Sequence, residues 1–516
     1  MNAEGTNEHA SAPGGPQRMS DAEGLMWRLE KDPFLSSTYS NISILDRPLD
    51  FPRFLRRIQR ASIAFPRLRQ RVQPAPANLG APFWQVDPNF DINNHVRHIA
   101  LPQPGTMRQL FDLATLFTAD PFDRTRPPWQ FLVIDGLEGG RGAFISKIHH
   151  TIADGEGGVL LSMQFLDLER DAPEPPPLPE PDFSDTHPDD ETADVLRAAL
   201  NDALRIPLSL VKQVRDVLAE PTQIPSATAE NAANVRSILK QLGETDPARS
   251  PLWTERSLRR HLETLRAPYS RLRDAAKELG GTLNSAFVTA AADASGEYHR
   301  RLGSPVESLR TSMAVSTRTS DNQSNAFTLV RLLVPTGEMP IAERFAAIDE
   351  LSRTVKAGSD GASLQTIAGI GAAVPTSVLT RLARAQSQTV DFATSNVKGA
   401  GVPLYVAGSR LIGNYPVGPL AGVAFNLTLL SHDGNMDMGL HIDAAAITQP
   451  GLLRECMEES FERIMAHAPQ PSVSHLPESM PLPPPETVTA AQDATPASLT
   501  RPRWWRRRRA SRSEET

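Results

Sequence analysis

The chain has 516 residues, 40% hydrophobic and 22% charged, with 53 Lys and Arg against 60 Asp and Glu. That is the composition of a globular protein with material for one large or two medium cores. The net charge of −7 gives no case for nucleic-acid binding by the body of the protein. The one cysteine, Cys456, rules out an intrachain disulfide, and the lack of an uninterrupted apolar run of about 20 residues argues against a membrane span.

Residues 1–18 are polar, lack the apolar stretch of a signal peptide and are expected to be disordered. Residues 19–170 mix strand and helix patterns. Within them, 129–135 and 143–150 are predicted strands, and the glycine-rich connection from Gly136 to Gly142 suits a hairpin. Alternation in the second strand puts Phe144, Ser146, Ile148 and His150 on one face, and Ile145, Lys147 and His149 on the other. Two adjacent histidines therefore cannot line one cavity unless the strand end twists. One is expected to carry chemistry and the other to support it.

The strand runs into His149-His150-Thr151-Ile152-Ala153-Asp154-Gly155, the pattern HHxxxDG. At average composition it arises by chance in such a chain roughly one time in a thousand. Gly157 and Gly158 allow a close turn, and an apolar helix is predicted from there to about Leu168. Asp154 precedes its first turn, a helix N-cap position.

Residues 171–191 are rich in proline and acid, without lysine or arginine, and predict a solvated, extended linker. Residues 192–220 return to helical spacing, with Leu196, Ala199, Leu200, Ala203 and Leu204 as one stripe and Val211, Val214, Val217 and Leu218 as another. Pro207 breaks the helix between them. The stripes suit packing on the protein or a membrane surface. Residues 221–250 are loop-like, so 171–250 connect two larger parts.

Residues 251–468 predict a second α/β unit. Its helices fall near 266–279, 282–301 and 450–467, the last carrying Cys456. Its strands fall near 310–317, 327–334, 422–431 and 436–443. Residues 469–516 form a tail expected to be disordered. It holds the cluster 501–509, RPRWWRRRR, whose arginines suit anionic lipid headgroups and whose tryptophans suit a membrane interface. A solvated charged tail or a nonspecific polyanion binder would have the same composition.

A histidine with a pKa near ~6.5 can take a proton from a hydroxyl or amine as a general base. The pattern GxSxG is absent, so no serine nucleophile accompanies it. Direct attack of an acceptor on an activated acyl donor fits better than a covalent acyl-enzyme. Zinc fits poorly, because the histidines lack the HExxH spacing and only one cysteine exists. No metal is expected.

HHxxxDG marks the CoA-dependent acyltransferase superfamily, and the flanking blocks resemble the bacterial wax ester synthase/diacylglycerol acyltransferase family. The blocks run in the family's order from 19 to 468. They are Met19-Ser20-Asp21-Ala22-Glu23 with Trp27 and Leu29-Glu30; Phe83-Trp84 with Asp87, Phe90-Asp91 and His95-Val96-Arg97; and Pro121-Phe122-Asp123-Arg124 with Arg126-Pro127-Pro128-Trp129. In the second half they are Leu283-Asn284, Ala314-Val315-Ser316-Thr317-Arg318, Ser395-Asn396-Val397 and Gly439-Leu440-His441-Ile442-Asp443.

The resemblance implies a two-lobed α/β fold of the chloramphenicol acetyltransferase type, with a channel between the lobes. It implies His150 as general base, His149 in support and Asp154 orienting the motif, with Gly155 a substrate-binding or structural candidate. Arg318 is the candidate arginine for Asp154, or else an ordinary exposed arginine. Asn284 is a candidate for positioning substrate or the tetrahedral oxyanion, or else a structural asparagine at a helix start. Fatty acyl-CoA is the implied co-substrate, with no further cofactor, and diacylglycerol or a long-chain alcohol the acceptor. The implied place of work is cytoplasmic, peripheral to the inner membrane face or to lipid droplets. Two other readings stay open: the same chemistry with another acceptor or a carrier-protein donor, and a non-catalytic lipid-binding protein. Four positions depart from the family pattern: Pro128, Ser285, Ser324 and Lys398.

Overall fold

Alternating apolar residues make strands in the first half of the chain, and capped amphipathic segments make helices. The structure, a computed structural model, describes residues 17–75, 81–180, 248–316, 327–357 and 376–469. In chain order the first half contains β1 (Gln17–Arg18), α1 (Asp21–Leu29), β2 (Thr38–Leu45), α2 (Phe51–Ala64), β3 (Gln70–Gln73) and β4 (Phe83–Val86). It continues with β5 (Val96–Ala100), α3 (Met107–Ala119), β6 (Trp129–Leu137), β7 (Arg141–His149) and α4 (Gly155–Ser162). Reciprocal Ser20–Glu23 and Thr106–Gln109 bonds open α1 and α3, satisfying amides that a helix start leaves free.

The second half contains β8 (Arg260–Pro268), α5 (Tyr269–Glu278), α6 (Leu283–Arg301), β9 (Ser308–Ser316), β10 (Phe327–Pro335), α7 (Ile341–Ala357) and α8 (Thr376–Ser387). After these come β11 (Phe392–Val397), β12 (Tyr405–Val406), β13 (Ser409–Val417), β14 (Phe425–His432), β15 (Asn435–Asp443) and α9 (Pro450–Met465). Two six-stranded sheets result, ordered β12-β13-β2-β7-β6-β5 and β10-β9-β11-β14-β15-β8, with a small β1-β4-β3 sheet beside the first.

The predicted hairpin is β6–β7, pairing Trp129 with Ile148 and Ile134 with Ala143. Gly136, Gly139 and Gly140 take positive φ in its turn, a region closed to most side chains. One face of the first sheet packs Ile42, Ile44, Ile134 and Ile145 on Leu110 and Ala114 of α3. The other packs Trp129, Phe131 and Phe144 on Phe54 of α2 and on Phe165. The second lobe is centred on α6, where Ala286, Ala290, Ala291, Ala292 and Ala294 are fully buried. A helix buried on every side lies inside a core. It lies with Met457 and Phe461 of α9 among Phe392, Phe425, Leu427, Met438 and Leu440 of the sheet. Cys456 is buried there.

The two halves of the chain are not the two sheets. Residues 405–417, inside the segment read as a second unit, cross to the first sheet, where β13 pairs antiparallel with β2 (Tyr415 with Ile42, Asn414 with Ser43). A Cβ on Gly439 of β15 would stand 1.9 Å from the Pro416 carbonyl oxygen, so only glycine lets β13 lie this close. Asp437 of β15 fixes the crossing, accepting from the Asn414 amide at 2.7 Å and from Arg266 of β8. Arg108 of α3 also joins the two sheets, donating to the Leu262 carbonyl of β8.

Other expectations need correction. Gln17 and Arg18, placed in a disordered terminus, pair with Trp84 and Phe83. Residues 266–268 end a strand rather than begin a helix; they pair with β15, and Pro268 sits at the α5 N-cap position. The helix after the motif stops at Ser162, because Asp167 exchanges backbone bonds with Tyr405. Residues 171–180 are extended and largely exposed, as expected, but they are also tethered to the protein. Arg53, Arg57 and Arg60 of α2 donate to the carbonyls of Ala172, Pro173 and Pro176, and Arg56 and Arg69 pair with Glu174 and Glu180. The run was read by itself, and its acids gave no sign that a basic helix faces them. The readings for 1–16, 181–247 and 470–516, and those for Arg318 and Ser324, fall outside the described residues. Among the described residues no helix is long and apolar enough to cross a membrane.

Candidate active site

The paired histidines separate because the strand ends between them. His149 is the last residue of β7 and its side chain is fully buried. Its ring meets Trp27 edge-on at 5.3 Å. The Thr151 amide donates to Nδ1 at 3.2 Å, so Nδ1 is an acceptor and the ring proton lies on Nε2. Nε2 faces Glu30 Oε2 at 3.2 Å. His149 is thus tied on both sides by protein groups.

Glu30 closes the C-terminus of α1. Its carboxylate accepts from the Ser37 amide at 2.7 Å, the Ser36 hydroxyl at 2.6 Å and the Thr38 hydroxyl at 3.2 Å. Burial pushes its pKa up, but the hydrogen bonds from His149, Ser36 and Ser37 outweigh this and hold it at about 2. The carboxylate is a fixed anion.

His150 lies just past the strand, its amide donating to the Ser37 carbonyl at 3.2 Å. Its ring stands 4.7 Å from that of Tyr39. Burial, with a smaller effect from His149, lowers its pKa to about 4 against the pull of Asp154 and Glu30. The imidazole is therefore neutral at neutral pH, the form that accepts a proton.

Asp154 is the N-cap of α4, accepting from the Gly157 amide at 2.7 Å. Gly155 touches the other lobe: a Cβ there would stand 3.1 Å from Val397 Cγ2 at the end of β11. The motif loop and the Ser-Asn-Val block therefore meet across the two lobes. Asn396 donates to Asn284 at 3.4 Å, and the Asn284 amide reaches Met313 Sδ at 3.1 Å. So His149, His150, Asp154 and Gly155 fall on the turn from β7 into α4, and Asn284 adjoins the strand end that meets it.

The departures are accommodated locally. Pro128 removes a backbone N–H and fixes φ, but its carbonyl still accepts from the His149 amide at 3.1 Å. Ser285 is buried and donates to Asp349 at 2.5 Å, so a carboxylate from α7 meets the start of α6. Lys398 is exposed.

Glu30, Tyr39 and Lys147 lie close to the motif histidines and were not singled out from the sequence. The Lys147 ammonium is buried, donates to the Asp120 carbonyl at 2.6 Å and lies 4.5 Å from the Phe122 ring. Burial lowers its pKa to about 8. Glu30 was visible only as part of a family block.

Residues 19–287 match the wax ester synthase/diacylglycerol acyltransferase catalytic domain, and residues 323–465 match the C-terminal domain of the same family. The putative diacylglycerol O-acyltransferase Rv2484c of Mycobacterium tuberculosis is 30% identical over 90% of this chain and 96% of that protein. The probable diacylglycerol O-acyltransferase tgs1 of the same organism is 27% identical over 86% and 94%. Among solved structures, the wax ester synthase/diacylglycerol acyltransferase from Marinobacter aquaeolei VT8 superposes with a TM-score of 0.61 at 20% identity, covering 88% of this chain and all of that one. The first condensation domain of the calcium-dependent antibiotic synthetase gives 0.54 at 14% identity, covering 89% and 98%. Both share the mixed α/β two-lobed fold. With both domains of the family matched in order around the HHxxxDG loop, the chain belongs to the wax ester synthase/diacylglycerol acyltransferase family and is an acyltransferase.

Proposed function

We propose that this protein moves a fatty acyl group from acyl-CoA to the hydroxyl of diacylglycerol or of a long-chain alcohol, giving triacylglycerol or wax ester. The observation that carries the reading is the neutral His150 imidazole, set beside the loop where Gly155 meets Val397 of the other lobe. His150 takes the acceptor's hydroxyl proton as the oxygen attacks the thioester carbonyl. The tetrahedral intermediate then collapses, and the CoA thiolate leaves with the proton from His150. His149, clamped by Glu30 and Thr151, keeps the strand end in place, and Asp154 caps α4. Asn284 is a candidate to orient substrate or the oxyanion from the second lobe.

Work at a lipid surface suits water-insoluble acceptors. Leu160 of α4 and the following Met163 and Leu168 are exposed, and 501–509 offer arginine and tryptophan for anionic headgroups. We place the enzyme peripherally on the cytoplasmic membrane face or on lipid droplets. Removing 501–516 should lower binding to anionic liposomes; unchanged binding rejects that part.

The test of the reaction incubates purified protein with labelled palmitoyl-CoA, offering diacylglycerol and hexadecanol separately, with His150→Ala beside each. Product that depends on His150 supports the reading and names the acceptor class. Folded protein that makes neither product rejects it.

A further inference from the structure

Tyr39 on β2 is the aromatic neighbour of His150, with ring centroids 4.7 Å apart and planes inclined at 51°. Its hydroxyl is buried and has no hydrogen-bond partner among the described residues. Burying a hydroxyl unpaired costs stability, and phenylalanine would fill the same ring space without that cost. The hydroxyl also constrains its surroundings. A Cβ on Gly158 would stand 2.7 Å from Tyr39 Oη, so the first turns of α4 leave room for this oxygen by being glycine. A phenol kept at such expense, beside the proposed base, has a use in the occupied site.

We propose that Tyr39 is a catalytic residue whose phenol O–H donates a hydrogen bond to the thioester carbonyl oxygen as that oxygen becomes an oxyanion beside His150. The proposal rests on the acyl-transfer reading above. As the acceptor oxygen bonds to the carbonyl carbon, the C=O electron pair moves onto oxygen, where the Tyr39 hydroxyl meets it. When the pair returns, the C–S bond breaks and His150 gives its proton to the thiolate. Tyr39 keeps its own proton throughout. Burial and the nearby Asp154 charge raise its pKa further above the ordinary phenol value, so it remains a donor at every working pH.

The test compares Tyr39→Phe with wild type in three measurements: turnover of palmitoyl-CoA, thermal midpoint, and binding of two probes. One probe is free CoA. The other is a difluoroketone analogue of palmitoyl-CoA, which replaces the thioester sulfur by a difluoromethylene carbon and hydrates to a tetrahedral centre. Expected are a kcat lower by about a hundredfold, analogue binding weaker by about tenfold or more, unchanged CoA affinity, and a midpoint equal to or above wild type. Unchanged kcat and unchanged analogue binding overturn the proposal. A lowered midpoint with weakened CoA binding also overturns it, by making the phenol a packing group. Wild type that turns over no acyl-CoA and binds neither probe overturns the acyl-transfer reading, and this proposal with it.

Discussion

Glu30 Oε2 accepts from His149 Nε2 at 3.2 Å and from the Ser37 amide at 2.7 Å, and the Ser37 carbonyl in turn holds the His150 amide. One carboxylate thus positions both histidines. Glu30→Ala removes an acceptor from four donors at once, and the loss should be about 3 kcal/mol of stability, as for a broken buried pair. Activity should fall at least about tenfold, because the His150 backbone loses its anchor. The pH dependence has a definite sign. The folded pKa of about 2 lies below the ordinary carboxylate value, so the contribution is complete above roughly pH 4.5 and fades as pH falls toward 2. Acid unfolding of Glu30→Gln should be flatter than wild type through this window; parallel curves would contradict the assignment.

His150 sets the acid limb of the reaction. With its pKa lowered to about 4, kcat/KM should rise with pH through about 4 and be level by pH 6. An unperturbed histidine would place that limb near ~6.5. Stability carries the same signature: between these values the unfolded chain binds a proton that the folded chain does not, so wild type loses stability as pH falls from about 6.5 to 4. His150→Gln should lose less over that range. A kcat/KM limb at 6.5 would show that the imidazole is solvated in the working enzyme.

The motif loop and the β6–β7 hairpin were legible because their signals are local: alternation, a glycine turn, and fixed residue types within seven positions. Glu30 and Tyr39 were not, since their partners lie more than a hundred residues along the chain and only sheet pairing brings them together. The strand at 409–417 was not read from the sequence at all, and for the same reason nothing local says which sheet it joins. The helix after the motif was read too long because hydrophobicity continues past Ser162, while the backbone pairing of Asp167 with Tyr405 that ends it is tertiary. Asn284 was legible as a residue at a helix start, and its proximity to Asn396 was not.

The crossing of β13 depends on Gly439. An alanine Cβ would lie 1.9 Å from the Pro416 oxygen, and neither backbone can move without breaking its own ladder. Gly439→Ala should cost about 3 kcal/mol, the upper range for overpacking, and should lower activity by separating β13 from β15. Thermal melting reads the first effect and acyl transfer the second. A midpoint within a degree of wild type would show that the crossing has slack.

The arginines of α2 separate two kinds of ion pair. Arg57 and Asp167 are both nearly buried, 3.0 Å apart, and Arg57 also holds the Pro173 carbonyl. Burial raises the Asp167 pKa, with Arg57 and Arg53 pulling it down, so its ionised form depends on these partners. Arg57→Ala leaves that carboxylate buried beside a weaker neighbour and should cost about 3 kcal/mol. Arg56 and Glu174 are exposed, with about half of each side chain in solvent. Glu174→Ala should therefore cost little, and nothing measurable in high salt. If segment 171–180 is held mainly by charge, both variants should expose it to proteolysis alike. If the arginine bonds to its carbonyls hold it, only Arg57→Ala will, and the geometry favours this, because Arg53, Arg57 and Arg60 all bind backbone oxygens there.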